Sequence, residues 1–288
     1  MIGFEYHGKS TEDIIGTPLL LVSYDGIDGL GISRSKIEGE RTISRFITNE
    51  YGTVYEPLSF SYALIKDPTY GQETFTDEEH EAINSWLLSY KLSSELRITN
   101  CGQYEYSYLG NFTSVEWQLG SGGYVICCFT FEVNGPYAFQ HHEELVWDAE
   151  EDGAEGEFTI TCYTSEKEEY VYPIIKAQCI NFDDDSSFTL TAISDGGQEL
   201  SVTTQQIIGV AVDCQRCRAY TYVNTIEDEQ QVEREVSQLR FRDLGWEDVD
   251  RVYWPRLLPG ENRFLITGNV RMIISYDAPY MKVGGWLI

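Results

Sequence analysis

The chain is short of positive charge. Its 288 residues include 20 Lys and Arg against 47 Asp and Glu, which gives a formal net charge of -27. A tight grip on nucleic acid needs clustered Lys and Arg to neutralise phosphates, so this balance argues against a nucleic-acid-binding protein. Strong acidity keeps a protein soluble and repels polyanions. A surface past which DNA must slide without adhering would have this character, and so would an ordinary soluble acidic protein.

Signals for export and for membrane insertion are also missing. The N-terminus, MIGFEYHGKSTED, has no basic segment followed by an apolar run, so we predict no signal peptide. The longest apolar stretch, around Pro18–Val22, is far too short to span a bilayer, and no membrane partner is expected. The seven cysteines are an odd number and fall in strand-like runs, which indicates reduced thiols in a protein made in the cytoplasm.

Signatures of catalysis are absent as well. The sequence has no HExxH, no Gly-rich phosphate loop and no GxSxG elbow. Cys214 and Cys217 form a lone CxxC, which is weak evidence for a zinc or redox site without a second pair or a nearby His. His141 and His142 are adjacent, so they are poorly spaced for one ion and are typical of a polar linker. Asp183–Asp185 lacks the spacing of an EF-hand, which favours a solvated hairpin tip. We therefore predict no catalytic residue, metal or cofactor, and no enzyme.

Strand signals dominate what is present. Aromatic residues make up 14% of the chain, and they are favoured on the half-buried surface of a sheet. Val54–Ile65 alternates over its second half, and Val125–Val133 is a mostly apolar run that predicts a strand covered on both sides. The alternation places four residues on one face: Leu58, Phe60, Tyr62 and Leu64. Between Glu157 and Val223, short β-rich runs recur at a spacing of roughly 8–12 residues, which is typical of a sandwich or barrel.

One helix is predicted, over residues 76–91. Thr76 and Glu79 have the spacing of a capping box, in which each side chain bonds the other residue's backbone N–H. Apolar residues then recur at three- and four-residue spacing, so one face should dock on a sheet. These residues are Ala82, Ile83, Trp86, Leu87 and Tyr90. The pattern indicates a packing helix and carries no sign of chemistry.

Two acidic stretches interrupt the strand pattern. Residues 139–156 are acidic, contain glycine and show little periodicity, so we predict a linker there between a domain of residues 1–138 and a domain of residues 157–288. Thr225–Glu235 is too polar for a core strand and predicts a solvated loop or a short exposed helix. The composition therefore indicates an acidic, mainly β protein with two domains.

The most distinctive local pattern lies near the C-terminus. Leu258-Pro259-Gly260-Glu261 predicts a type II turn, because Pro sets the negative φ at the second position and Gly supplies the positive φ at the third. A second break at Gly268 separates two apolar runs. Locally these features predict a β-hairpin arrangement.

Several of these segments together resemble the distal tail (Dit) proteins of long-tailed bacteriophages. The final strands of that family carry a "PGEN…TG" pattern, and the matching positions here are Pro259, Gly260, Glu261, Asn262, Thr267 and Gly268. The helix ends in a "WL" pair at Trp86 and Leu87, as in the family. The opening FEYHGKSTED is similar to the family's F-x-G-x-S-S-x-D start, with departures at His7 and Lys9–Thr11. The matches occur in the expected order along nearly the whole chain.

This resemblance implies a fold and a role. The expected fold is an N-terminal β-sandwich with one packed α-helix, followed by a galectin-like β-sandwich. The N-terminal domain would assemble into a hexameric ring that joins the major tail tube protein to the tail-associated hub or lysin protein. Receptor-binding proteins are a further partner, and double-stranded DNA would pass only as cargo. The protein would lie at the distal end of the tail in the virion, after assembly in the bacterial host cytoplasm.

A carbohydrate-binding module used in host attachment is the alternative interpretation. Galectin-like sandwiches suit that role, and Trp147, Trp246 and Trp254 could each present a ring face to a sugar. Core packing accounts for most tryptophans equally well. The chain, at 288 residues, has little room for an inserted carbohydrate-binding module.

Overall fold

The computed structural model describes residues 3–23, 34–38, 50–67, 69, 74–99, 106–165, 167, 169–180, 186–204, 209–227, 230–248 and 251–281. The chain divides into two compact units. Unit 1 comprises Met1–Gln140 and Pro279–Ile288, and unit 2 comprises His141–Ala278. Asp183–Asp185, for which we predicted a hairpin tip, lies outside the described residues.

The first half of the chain consists mostly of strands. In chain order they are β1 Gly3–Tyr6, β2 Lys9–Ser10, α1 Thr11–Ile15, β3 Leu19–Ser23, β4 Arg34–Glu38, β5 Glu50–Tyr55, β6 Ser59–Lys66, α2 Asp77–Leu88, β7 Ser94–Thr99, β8 Tyr106–Gly120, β9 Gly123–Val133 and β10 Ala138–Asp148. The remaining elements are α3 Ala149–Asp152, β11 Glu155–Cys162, β12 Ile174–Cys179, β13 Ser186–Ala192, β14 Gln198–Thr204, β15 Gly209–Asp213, β16 Arg218–Glu227, β17 Gln230–Gln238, β18 Gly260–Thr267 and β19 Val270–Tyr280. The mainly β prediction is confirmed.

Unit 1 is built around the long strand β8. Strands pair antiparallel in the order β3-β6-β9-β8-β7-β1-β2, and β8 joins the two halves of this sheet. Residues up to Gly110 pair with β7, and residues from Gly110 onward pair with β9. A Cβ atom on Gly110 would lie 2.1 Å from the Glu132 carbonyl oxygen, so glycine is required where β8 changes its partner from β7 to β9. A bulge between Phe112 and Ser114 lets the strand bend at the same place.

The core of unit 1 is aromatic. Phe4 on β1 stacks on Trp86 of α2 with ring centroids 5.3 Å apart, and it lies 5.6 Å from Phe129 on β9. Strands from the two sides of β8 therefore pack against each other and against one helix. The alternation predicted for β6 is confirmed, since the four residues assigned to one face are all buried: Leu58, Phe60, Tyr62 and Leu64.

Unit 2 is a two-sheet β-sandwich. One sheet has the order β17-β16-β15-β12-β19-β10, and the other has the order β11-β18-β13-β14. Each sheet contributes strands with buried apolar side chains, such as Val210 and Val212 on β15 and Phe264 and Ile266 on β18. Every residue of β15 is buried, which is typical of a central strand.

The predicted hairpin at the C-terminal motif is wrong. Strand β18 pairs with β11 and β13, whereas β19 pairs with β12, so the chain changes sheets at Gly268. A hairpin and a crossover between stacked sheets have the same local sequence signals, because in both cases the glycine marks only where the chain reverses its direction. The choice depends on which distant strands offer an edge.

Residues 139–156, predicted as a linker, contain strand β10, helix α3 and the start of β11. Glu143 and Glu144 lie on exposed positions of β10, while Trp147 and Asp148 at its end are buried. Asp148 forms an ion pair with Arg271. An ordered strand can therefore be acidic where its charges meet solvent or an ion-pair partner. Thr225–Glu235 also differs from its prediction, because its described backbone belongs to β16 and β17, which pair with each other.

Candidate assembly surfaces

The Pro259-Gly260-Glu261-Asn262 motif is a turn clamped by one side chain. The Asn262 side chain is buried, and its Oδ1 accepts a hydrogen bond from Leu258 N at 2.8 Å. Its Nδ2 donates to the carbonyl oxygens of Leu258 at 2.8 Å and Gly260 at 3.0 Å. Gly260 has φ +96°, the positive value expected at the third position of the predicted turn. The amide of Asn262 thus replaces backbone partners that the turn leaves open.

The second half of the motif has a steric role. Gly268 has φ +137°, and a Cβ atom there would lie 2.6 Å from the Ser187 carbonyl oxygen. Glycine is therefore needed where β18 ends and the chain crosses to β19. Thr267 and Glu261 are exposed on the same strand. The motif residues therefore lie at the two ends of β18: Pro259–Asn262 form the turn where the strand begins, and Thr267 and Gly268 lie where it ends.

The residues that we singled out on α2 fix the helix in unit 1. Thr76 Oγ1 accepts from Glu79 N at 3.2 Å, and Glu79 Oε2 accepts from Thr76 N at 2.8 Å, as the capping box requires. Lys66 Nζ also lies 2.6 Å from Glu79 Oε2. Trp86 Nε1 donates to the Tyr6 carbonyl oxygen at 3.0 Å, and Leu87 is buried. The helix ends at Leu88, three residues before the predicted end.

The outer face of α2 carries a shallow groove, largely open to solvent, that the sequence did not indicate. Its volume is about 600 Å³. We call it the α2 groove, and its lining residues are Asp77, His80, Glu81, Asn84, Ser85, Leu88 and Ser89. Asp77 and Glu81 have no ion-pair partner within the described part of the chain. The groove is therefore acidic towards the start of the helix and apolar at its end.

Aromatic residues of β8 and β9 contact two of the polar residues that line this groove. The His80 ring stacks on Tyr124 at 4.5 Å and lies 4.6 Å from the Trp117 ring. Asn84 Oδ1 accepts from Trp117 Nε1 at 2.9 Å. Phe75 N donates to the Tyr124 carbonyl oxygen at 2.8 Å, which ties the start of α2 to the same hairpin. These contacts fix the positions of His80 and Asn84 in the groove.

Three leucines of unit 1 near this helix are exposed to solvent. Leu88 at the end of α2 is 47% exposed, and Leu92, just before β7, is 82% exposed. Leu119, at the tip of the β8–β9 hairpin, is 74% exposed. Isolated surface leucines are ordinary, but these mark the two ends of one helix, because the tip adjoins Thr74 and Phe75.

His141 and His142 lie on opposite faces of β10 in unit 2. His141 Nδ1 is 2.7 Å from Asp277 Oδ1, and this hydrogen bond raises the pKa of His141. The His142 ring stacks on Tyr276 at 5.0 Å, and burial lowers the pKa of His142. The two rings therefore do not converge on one ion.

Cys214 and Cys217 are free thiols in the turn between β15 and β16. Cys214 is buried, which raises the pKa of its thiol well above the ordinary value, while Cys217 is exposed. Asp213 shapes the turn, since its Oδ1 accepts from Arg216 N at 2.9 Å. Among the residues that the structure describes, no group of three or more His, Cys, Asp or Glu could hold a metal ion.

The tryptophans considered for sugar binding are largely inside unit 2. Trp147 and Trp246 are buried, and their Nε1 atoms donate to the carbonyl oxygens of Gly153 at 3.1 Å and Ser201 at 2.6 Å. Trp254 is partly buried and packs edge-on against Trp246 at 5.5 Å. Trp147 and Trp246 therefore offer no exposed ring face, and core packing accounts for them.

Comparison with known families identifies the N-terminal part of the chain. Residues 1–134, nearly all of unit 1 apart from its C-terminal segment, match the family model described as phage tail protein N-terminal domain. This part of the chain belongs to a phage tail protein family.

Solved structures extend the likeness of this tail protein to its full length. The Dit protein of phage SPP1, described as a paradigm of the hub adsorption apparatus in phages that infect Gram-positive bacteria, is 12% identical with a TM-score of 0.58. The match covers 97% of this chain and 99% of SPP1 Dit. A chain of the phage P2 baseplate in its activated conformation with calcium is 9% identical with a TM-score of 0.53, covering 96% and 98% of the two chains. The tail protein therefore has the Dit fold, which confirms the resemblance.

The baseplate of phage P2 in its activated conformation with strontium gives a further match. One of its chains is 10% identical to the tail protein, with a TM-score of 0.51 and complete coverage of both chains. No curated protein matches the chain. In the described part of the tail protein, every helix is too short or too polar to cross a bilayer.

Sequence reasoning found the turn and the capped helix of this tail protein but not the α2 groove. The groove residues recur at helical spacing on the polar face of α2, a pattern typical of ordinary solvated surface. The hydrogen bond between Asn84 and Trp117, 33 residues apart, had no local signal. A leucine at position 88, among the polar residues of that face, was the available hint.

Proposed function

We propose that this tail protein forms a homo-hexameric ring at the distal end of the tail. The ring joins the tail tube protein to the tail-associated hub or lysin protein, carries receptor-binding proteins as further partners, and lets double-stranded DNA pass through its channel. Unit 1 forms the ring. The role is structural, without catalysis.

The observation that carries this proposal is the likeness to SPP1 Dit over 97% of this chain and 99% of that one. Both units are included in this match, so the likeness is not limited to a single β-sandwich of a common type. The family match of residues 1–134 independently gives the N-terminal part a phage tail origin.

The charge of the chain supports the channel. A net charge of -27 per copy makes an assembly that repels a polyanion, so DNA would pass without adhering. Acidic side chains lining the bore are part of the proposal. An electrostatic map of the assembled ring with a neutral or basic bore would contradict the acidic bore but not the ring itself.

Electron microscopy of the purified chain tests the ring. We expect particles with six-fold symmetry and a central hole, alone or together with the tail tube protein. Native mass spectrometry should give a mass six times that of one chain, 32.9 kDa. Particles that stay monomeric in every condition, including with tail partners, would contradict the proposal.

A further inference from the structure

We propose that Asn134 is a modification site, at which the chain loses the side-chain amide without an enzyme and acquires aspartate or isoaspartate. Asn134 lies in the turn between β9 and β10 of unit 1. The reacting groups are its own side chain, the main-chain nitrogen of Gly135 and water. The site is independent of the proposed function, because its chemistry depends on one turn and not on assembly.

The reaction begins at the Gly135 nitrogen, which gives its proton to a base in solution and attacks the Cγ atom of Asn134. A bond forms between the nitrogen and Cγ, the bond from Cγ to Nδ2 breaks, and the amide takes up a proton and leaves as ammonia. The product is a cyclic imide. Water then opens the ring. Attack of water on Cγ gives aspartate, and attack on the main-chain carbonyl carbon gives isoaspartate.

The sequence favours this reaction at one place. Asn134-Gly135 is the one Asn-Gly pair in the 288 residues. Glycine has no Cβ atom, so its nitrogen is the least shielded of any residue's from attack on the preceding side chain. The Asn134 side chain is exposed, which lets water and base reach it. Each later step therefore has its reagent at the site.

Hydrogen bonding leaves the attacking nitrogen available. Asn134 N donates to the Leu109 carbonyl oxygen at 2.8 Å, but the Gly135 N–H makes no hydrogen bond to any residue that the structure describes. The side-chain oxygen, in contrast, has a donor. Ser93 Oγ donates to Asn134 Oδ1 at 3.1 Å. Negative charge develops on this oxygen as the nitrogen attacks, and a donor already in place stabilises that charge.

Two other asparagines show the opposite arrangement. Ser85, which follows Asn84, lies inside α2, where its N–H is engaged in the helical hydrogen bonds. Arg263 N, which follows Asn262, donates to Ser194 Oγ at 2.8 Å. Both nitrogens also carry a residue with a Cβ atom. Asn84 and Asn262 are therefore internal controls in the same chain.

The modification should weaken the turn. Val133 N donates to the Leu58 carbonyl oxygen at 2.8 Å, and Leu58 N donates to the Gly135 carbonyl oxygen at 3.4 Å. Isoaspartate lengthens the main chain between Val133 and Gly135 by a methylene group. The two hydrogen bonds to Leu58 then cannot both keep their geometry, so the Tm of unit 1 should fall.

Peptide mapping by mass spectrometry tests the site. The purified full chain is incubated in mildly alkaline buffer, sampled over time and digested. We expect the peptide with Asn134 to show the small mass increase that exchange of an amide for a hydroxyl gives, and to label with an isoaspartyl methyltransferase. Peptides with Asn84 and Asn262 should stay unmodified over the same period.

Gly135→Ala is the matched variant. A Cβ atom at position 135 meets no other atom within 4 Å, and φ of Gly135 is not in the left-handed region, so the fold accepts alanine. The added methyl group shields the nitrogen. We expect loss of the Asn134 amide to slow by about tenfold, which is about 1.4 kcal/mol in activation free energy. Before incubation its Tm should match wild type, and after incubation the variant should keep the Tm that wild type loses.

Three results would overturn the proposal: an Asn134 amide that survives prolonged incubation, loss at Asn84 or Asn262 before Asn134, or an equal rate in G135A. A chain that carries isoaspartate at position 134 with an unchanged Tm would contradict the weakening of the turn. Rings, if they form, bear on none of these results.

Discussion

Removing the amide of Asn262 should destabilise unit 2 far more than a change of the adjacent motif residue Glu261. Asn262→Ala deletes three hydrogen bonds of 2.8, 2.8 and 3.0 Å to the backbone of Leu258 and Gly260. Each contributes roughly 0.5–1.5 kcal/mol net, and the side chain is buried, so about 3 kcal/mol of unfolding free energy should be lost. For a unit of this size the loss corresponds to a fall in Tm of about 10 °C.

Urea denaturation followed by tryptophan fluorescence measures this loss. Trp147, Trp246 and Trp254 report on unit 2, and the transition midpoint should fall without a change in slope. Glu261→Ala is the matched control, because Glu261 is the adjacent motif residue and is exposed. Its effect should stay within about 0.5 kcal/mol of wild type. An Asn262→Ala chain as stable as the Glu261→Ala control would refute the clamp.

Other changes test the remaining structural arguments. Thr76→Ala should cost about 1 kcal/mol of unfolding free energy, measured by denaturation, because α2 loses its cap; an unchanged midpoint would count against the capping box. Gly110→Ala should prevent folding of unit 1 or lower its Tm sharply, and a normal melting curve would contradict the close approach. A thiol reagent should label Cys217 quickly and Cys214 only on unfolding, as mass spectrometry can show; early labelling of Cys214 would disprove its burial. Burial lowers the pKa of His142, so the stability it gives is complete above about pH 6.5 and is lost as pH falls below that value. His142→Phe should therefore flatten the acid side of a plot of Tm against pH, and an unchanged slope would exclude this contribution.

Local patterns in the sequence predicted local structure well. The cap at Thr76, the alternation of β6 and the positive φ at Gly260 each depend on a few neighbouring residues, and the structure contains all three. The prediction of a packing helix also held, because Trp86 and Leu87 recur on one face and are buried. In each case the same few neighbouring residues form the sequence pattern and determine the local structure.

Features that depend on distant partners were not predictable in this way. The change of sheet at Gly268 is set by which strands pair with β18 and β19, and those strands lie far away in the sequence. Strand β10 was mistaken for a linker because its charges, on exposed positions, hide the buried Trp147 at its end. The α2 groove is lined by the outer face of α2, and the contacts of His80 and Asn84 with the β8–β9 hairpin join residues too far apart for a local signal.

The central claim is that this tail protein assembles into a six-membered ring through unit 1. Native mass spectrometry of the purified chain, with electron microscopy of the same sample, tests it most directly. The account predicts a species of six 32.9 kDa chains that appears as a ring with a central hole. A monomer at every concentration, in the presence and absence of tail tube protein, would contradict it.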